Sequence, residues 1–258
     1  MIELQVKTMA ELKAAGSNPE ILYWVGSAGS FDERAKKITR SFVKILNKAN
    51  VNFGVLGTEE SSSGDAAKRA GNEFLFQMQA LTNIEIMNSY KIQNIVTTCP
   101  HAYNTLKNEY KQLGGHYLLQ HHTEYIAKLI EEGRLVLKNN LQDKKITFHD
   151  PCYLGRANNI YDPPRKLLQS LGVKLIEMKR SRRKSFCCGA GGSQMFKDAE
   201  NGLKEINIER TEEALKLQPD IIATGCPFCN TMIRDGVKVI NEGIAEVKDI
   251  AELIADNI

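Results

Sequence analysis

Long apolar runs are missing from this chain. Among its 258 residues no stretch approaches the ~20 apolar positions of a membrane-spanning helix, and residues 1–20 hold no apolar core of signal-peptide length. The expectation is a cytoplasmic chain with no direct membrane insertion. Charge of one sign is scarce as well. The formal net charge is +3, with basic residues scattered apart from one run, which argues against a nucleic-acid partner. There is no flavin or nicotinamide fingerprint: in Gly189-Ala190-Gly191-Gly192 the third glycine of the dinucleotide pattern falls at Gln194. A ferredoxin-type Cys-x₂-Cys-x₂-Cys run is also absent. Any electrons this chain handles must be supplied by another polypeptide.

What the sequence does have is cysteine in a pattern. Five of its six cysteines are Cys152, the pair Cys187 and Cys188 within Cys-Cys-Gly-Ala-Gly-Gly, and Cys226 and Cys229 as Cys-Pro-Phe-Cys. In a reducing compartment such clusters bind metal or do chemistry more often than they form disulfides. Structural zinc takes four ligands and a disulfide two, so five thiols point toward an iron–sulfur site. A Cys₄ zinc site would use four of them, and Cys-Pro-Phe-Cys alone resembles a glutaredoxin-type redox pair that leaves the other three unexplained.

The hydrophobic content of 42% suffices for a full core, and the chain carries one plan twice. In the first half, strand 21–25 ends at Gly26-Ser27-Ala28-Gly29, and a helix follows in which Ser30 and Glu33 have capping-box spacing. Strand 51–56, a glycine- and serine-rich loop, helix 66–90 and strand 95–98 lead to Cys99-Pro100-His101-Ala102, which opens another helix. In the second half, strand 146–149 reaches Asp150-Pro151-Cys152; helix 164–171, strand 173–178, the cysteine pair, helix 203–217 and strand 220–224 lead to Cys226. Ser27 to Ser62 is 35 positions, as is Cys152 to Cys187, and Cys99-Pro-His-Ala102 aligns with Cys226-Pro-Phe-Cys229. Ser27, Ser62 and Ala102 therefore hold the places of cysteines, and three missing thiolates leave too few soft ligands for a first-half cluster. Strand–helix alternation predicts an α/β fold of two pseudo-symmetric lobes, each a small parallel sheet flanked by helices. The expected organisation is an N-terminal extension at 1–20, a short helix outside the repeat, then lobes at 21–137 and 138–258.

Each cysteine group falls where a strand ends and a loop or helix begins, the usual ligand position in open α/β sheets. Proline at 227 suits a first helical turn, whose free N–H groups stabilise thiolate charge, and Gly189, Gly191 and Gly192 permit close backbone approach. The pattern Cys-x₃₄-Cys-Cys-Gly-x₃₆-Cys-x-x-Cys resembles the cysteine-rich CCG domain. That domain occurs in tandem in heterodisulfide reductase and in iron–sulfur subunits of lactate, glycolate and glycerol-3-phosphate oxidation systems. Residues 31–35 (Phe-Asp-Glu-Arg-Ala), 71–75 (Gly-Asn-Glu-Phe-Leu) and 149–156 (His-Asp-Pro-Cys-Tyr-Leu-Gly-Arg) are similar to its bacterial members. The resemblance covers about residues 21–237. It implies a noncubane [4Fe-4S] cluster on Cys152, Cys187, Cys188, Cys226 and Cys229, with Gly189 against it, in an electron-transfer subunit of the heterodisulfide reductase type. It also implies flavoprotein or ferredoxin-type redox partners, a disulfide or thiol as substrate, and contact with any membrane complex through those partners. A zinc-stabilised binding module without redox activity is the alternative.

His149, three residues before Cys152, is a candidate proton donor or a hydrogen-bonding neighbour of the cluster. His101, His121 and His122 with Cys99 form a weaker metal-site candidate. Lys179-Arg180-Ser181-Arg182-Arg183-Lys184, directly before the cysteine pair, reads either as a solvated loop or as a positive surface attracting an acidic partner, with Arg156 and Arg165 extending it.

Overall fold

Every strand of the structure, a computed structural model describing residues 4–138, 140–198 and 201–258, runs parallel to its neighbours. Residues 1–3 of the expected extension, and 139, 199 and 200 of the expected second lobe, lie outside the described residues. The first lobe is built from β1 (Lys7–Thr8), α1 (Met9–Ala14), β2 (Ile21–Trp24), α2 (Gly26–Phe31), α3 (Glu33–Lys48), β3 (Phe53–Val55), α4 (Asp65–Arg69), α5 (Glu73–Ser89), β4 (Asn94–Thr97), α6 (Pro100–Asn104), β5 (Leu118–His121) and α7 (His122–Glu131). The second contains β6 (Lys145–Phe148), α8 (Asp162–Ser170), β7 (Lys174–Leu175), α9 (Ile206–Leu215), β8 (Ile221–Thr224), α10 (Pro227–Asn241), β9 (Glu246–Asp249) and α11 (Ile250–Ala255). Their sheet orders are β1-β3-β2-β4-β5 and β7-β6-β8-β9. Without β1 the two orders coincide, which is the repeat expressed as topology.

The strands are short and apolar because they are covered on both faces, as parallel sheets are. Between the sheets lies a shared core: Ile38, Phe42 and Ile45 of α3, Tyr125, Ile126 and Leu129 of α7, Leu167 and Leu168 of α8, and Ile250, Leu253 and Ile254 of α11. The helix after the first repeat strand of one lobe packs on the last helix of the other, α3 on α11 and α8 on α7. The two lobes therefore share one interior. On the outer faces α1 and α5 cover the first sheet, while α9 and α10 cover the second. Where α10 crosses α9, Gly236 replaces a side chain; a Cβ there would sit 2.2 Å from Thr211 Oγ1, so the crossing admits glycine alone.

Several local expectations differ from what forms. The helix expected over 66–90 is two helices, broken at Gly71 (φ +85) before Asn72, whose side chain accepts the Leu75 N–H as an N-cap. The cap of α3 is Asp32, accepting from Ala35 N, whereas Ser30 lies inside α2. The N-terminal segment contributes a helix and also an edge strand paired with β3, with Met9 and Leu12 packed over Gly54. β5 and β9 form where the sequence carries no strand signal; their residues, Leu-Leu-Gln-His and Glu-Val-Lys-Asp, are too few and too polar to give one.

Candidate metal centre

All five patterned cysteines meet at the C-terminal ends of β6 and β8. Cys152 follows β6 across Asp150-Pro151, Cys187 and Cys188 lie in the loop after β7, Cys226 is the N-cap of α10, and Cys229 is in its first turn with Pro227 at the helix start. All six cysteines are free thiols. The sulfurs of Cys188 and Cys229 are hydrogen-bonded at 3.3 Å, and the five side chains interact as one group, Cys187 with Cys152 and Cys188, and Cys226 with Cys229. Cys188, Cys226 and Cys229 are buried, while Cys152 and Cys187 are partly open to solvent. The three buried cysteines belong to the apolar cluster of the second lobe, and Cys152 and Cys187 form the partly open side of the group.

Negative charge is favoured at two of the five. Thiols of Cys152 and Cys188, together with the Gly189 N–H at 3.3 Å, hold Cys187 far below the ordinary thiol range. Burial pushes Cys226 up, but the Cys229 thiol, the charge of His101 and the N–H groups of Phe228 and Cys229 at the start of α10 outweigh it. Interaction with the neighbouring cysteine sulfurs first, and burial with it, push Cys152, Cys188 and Cys229 up. Gly189 (φ +90) supplies the turn that aims its N–H at sulfur, and Ile206 and Met232 close over it. Five free, converging soft donors served by backbone N–H groups fit an iron–sulfur cluster; their number exceeds what structural zinc uses.

His149 is fully enclosed and one of its ring nitrogens lies within 4.8 Å of the sulfurs of Cys188 and Cys229. Its Nδ1 accepts a hydrogen bond from Arg210 Nε at 3.0 Å. Burial first, and the Arg210 charge second, lower its pKa to about 3, so the ring is neutral and a poor proton source. Arg210 is itself buried, bonded to Glu213, the Arg180 carbonyl and Ser185 Oγ. Its importance was not read from the sequence, although a signal exists: Asn207, Arg210, Thr211 and Ala214 share the buried face of α9, where an arginine needs partners.

The positive surface is smaller than expected. Arg165 does not extend it: it is buried and holds Asp150 and Glu177 bidentately. Arg180 is committed to Glu209 and Glu213, and Arg182 pairs with Asp162. Lys179, Arg183 and Lys184 are exposed and form no ion pair among the described residues; Arg156 is exposed too.

In the first lobe, Ser27, Ser62, Cys99 and Ala102, the repeat equivalents of cysteine positions, line one cavity of ≈ 580 Å³ counting its mouth. Cys99 occupies the N-cap position of α6 as Cys226 does that of α10, with proline following in both. His101 stands on the wall nearest the second lobe, its ring against Tyr153 and Phe228 and its Nδ1 2.8 Å from Asp65 Oδ2. Burial alone would lower the His101 pKa; the bond to Asp65 reverses this and raises it. The weaker metal-site candidate does not assemble: His121 bonds Thr123, His122 bonds Asp249, and the one metal-like His/Cys/Asp/Glu group among the described residues is His149, Cys188 and Cys229.

Residues 21–107 and 146–234 each match the family model described as CCG, a cysteine-rich domain. The chain is 47% identical over 259 residues to the "Probable iron-sulfur-binding oxidoreductase FadF" of Bacillus subtilis, covering 99% of this chain and 36% of that protein. It is 46% identical over 246 residues to the "EtfAB:quinone oxidoreductase" of Syntrophomonas wolfei, covering 93% and 34%. One of the subunits of the dihydromethanophenazine:CoB–CoM heterodisulfide reductase of Methanosarcina barkeri is 30% identical over 248 residues, covering 92% and 58%. The chain thus spans from about a third to somewhat over half of the length of these relatives.

Proposed function

The chain belongs to the cysteine-rich CCG domain family, and from that premise we propose that it is an iron–sulfur redox module carrying one noncubane [4Fe-4S] cluster in its second lobe. The observation that carries this reading is the contrast between two equivalent places: five free thiols converge in one, and serines and an alanine line the other. Cys152, Cys187, Cys188, Cys226 and Cys229 would hold the cluster, which when bound supplies one-electron redox capacity. Gly189 N–H and the first turn of α10 spread its negative charge, the apolar cluster that holds the buried cysteines excludes water, and the partly open side at Cys152 and Cys187 is the face for electron exchange. Electrons come from a partner flavoprotein or ferredoxin-type protein and pass to a further acceptor; a disulfide substrate is the narrower form. The named relatives are oxidoreductases, which supports a redox role. No helix among the described residues is long and apolar enough to cross a membrane, and association with a membrane complex would run through partners.

Anaerobically purified protein should be brown, with one cluster's iron and acid-labile sulfide per chain. Colourless protein that contains zinc and no sulfide overturns the reading, and two clusters per chain overturns the emptied first lobe. Exposed Arg183 and Lys184 are the unpaired basic residues of the run nearest the cysteine pair in sequence. Replacing both by Gln should slow reoxidation of the reduced protein by ferricyanide roughly two- to tenfold at low salt, with the difference closing as salt rises. Equal rates at every ionic strength reject an electrostatic docking edge there.

A further inference from the structure

The second lobe contains a buried arginine whose role the proposed cluster site does not explain. Arg210 lies on α9, is fully removed from solvent, and bonds His149 Nδ1 through Nε at 3.0 Å. Guanidinium is a donor only, so Nδ1 must be the acceptor and the imidazole proton must sit on Nε2. The arginine cannot turn away, because Nη1 is bonded to Glu213 Oε2 at 2.9 Å and to the Arg180 carbonyl at 2.9 Å, with Ser185 Oγ at 3.4 Å from Nη2. With one nitrogen occupied and the other protonated, His149 has no lone pair free for a metal, despite lying within 4.8 Å of two cysteine sulfurs. The proton it carries is on Nε2, and a hydrogen bond from that N–H to a cluster sulfur would raise the reduction potential by stabilising the more negative state.

We propose that Arg210 is a positioning residue for the cluster site, locking His149 in its Nε2–H tautomer so that the ring acts as a hydrogen-bond donor toward sulfur instead of an iron ligand, which sets the reduction potential of the centre. The inference rests on the iron–sulfur reading given above. It adds two residues, one of them remote from every cysteine in sequence, and gives them a role distinct from ligation and from proton transfer.

Two readouts test it on the full chain. The first is the potential of the anaerobic protein, followed optically during redox titration. His149→Leu removes the donor and should lower the reduced-to-oxidised ratio at fixed poise about tenfold, equivalent to about 59 mV for a one-electron couple. His149→Gln, whose amide can accept from Arg210 and still donate, should stay within about twofold of the parent. Arg210→Met should shift the ratio in the same direction as His149→Leu, and the double variant should shift it no further than the larger single one. An unchanged potential in His149→Leu, or additive shifts in the double variant, overturns the proposal. The second readout is long-range ¹H–¹⁵N spectroscopy of histidine-labelled, metal-free protein. His149 should show the Nε2–H tautomer in the parent and lose that preference in Arg210→Met; a parent with the proton on Nδ1 overturns it. This readout needs no cluster, so parent protein lacking iron and sulfide would defeat the iron–sulfur reading and leave the tautomer lock to be judged separately. Should His149→Leu fail to fold, His149→Gln with the spectra carries the test: a potential well below the parent's, or a parent without the Nε2–H tautomer, rejects it.

Discussion

Cys226→Ser is expected to leave the anaerobically purified chain with less than roughly a tenth of its normal iron and sulfide, since even outer partners of a metal site are worth 10–100-fold in affinity. Cys226 is fully buried at the N-cap position of α10, where interaction with Cys229, the charge of His101 and the start of the helix lower its pKa against the effect of burial. A serine there fits the space, so the fold should survive, but its hydroxyl is hard and protonated where the site needs a soft anion. The paired control is Cys99→Ser. Cys99 is also buried, at the N-cap position of α6 in the equivalent place, and it lines a cavity with Ser27, Ser62 and Ala102 where the repeat has cysteines. Its loss should leave the iron content unchanged within error. Colorimetric iron and sulfide assays, with circular-dichroism melts to verify folding, decide the matter: retained iron in Cys226→Ser, or equal loss in Cys99→Ser, would sink the assignment of the cluster to the second lobe alone.

The repeat was legible because the elements that carry it are set by strong local signals. Short apolar runs ending at Gly26, Cys99, Pro151 and Cys226 fixed four central strands, and proline after Cys99 and Cys226 fixed two helix starts. The grouping of Ser27, Ser62, Cys99 and Ala102 around one cavity follows from the same alignment. What escaped is decided by tertiary contact. β5 and β9 have polar, marginal sequences and become strands because an edge of a parallel sheet is free beside them. Arg165 and the basic run looked alike as sequence, but one is interior and the other exposed. The difference lies in Asp150 and Glu177, twelve or more positions away from Arg165. The Arg210–His149 bond spans 61 positions, so no window of sequence contains it.

Arg165→Leu should be the most destabilising single change near the site, lowering unfolding free energy by about 3–5 kcal/mol because it leaves a buried carboxylate without its counter-ion. Arg165 Nη1 and Nη2 donate to the two oxygens of Asp150 at 2.7 and 2.9 Å, and its Nε and Nη2 reach Glu177 at 2.6 and 2.8 Å. Asp150 also accepts the Arg182 N–H, while its carbonyl accepts Ser185 Oγ–H; the pair therefore ties the end of β6, α8 and the loop before Cys187 together. Glu177 is 40% exposed and can turn to water, so the penalty falls on Asp150, which cannot. For a chain of this size the loss corresponds to a fall in Tm of roughly 6–20 °C, read from thermal melts under anaerobic conditions. The double variant Asp150→Asn with Arg165→Leu removes the stranded charge, and should recover a substantial part of the loss. A fall of less than about 2 °C in the single variant would mean that Asp150 finds water or another cation on losing Arg165. A double variant no more stable than the single would mean that the geometry of the fork, and not its charge balance, holds the cysteine loop against β6.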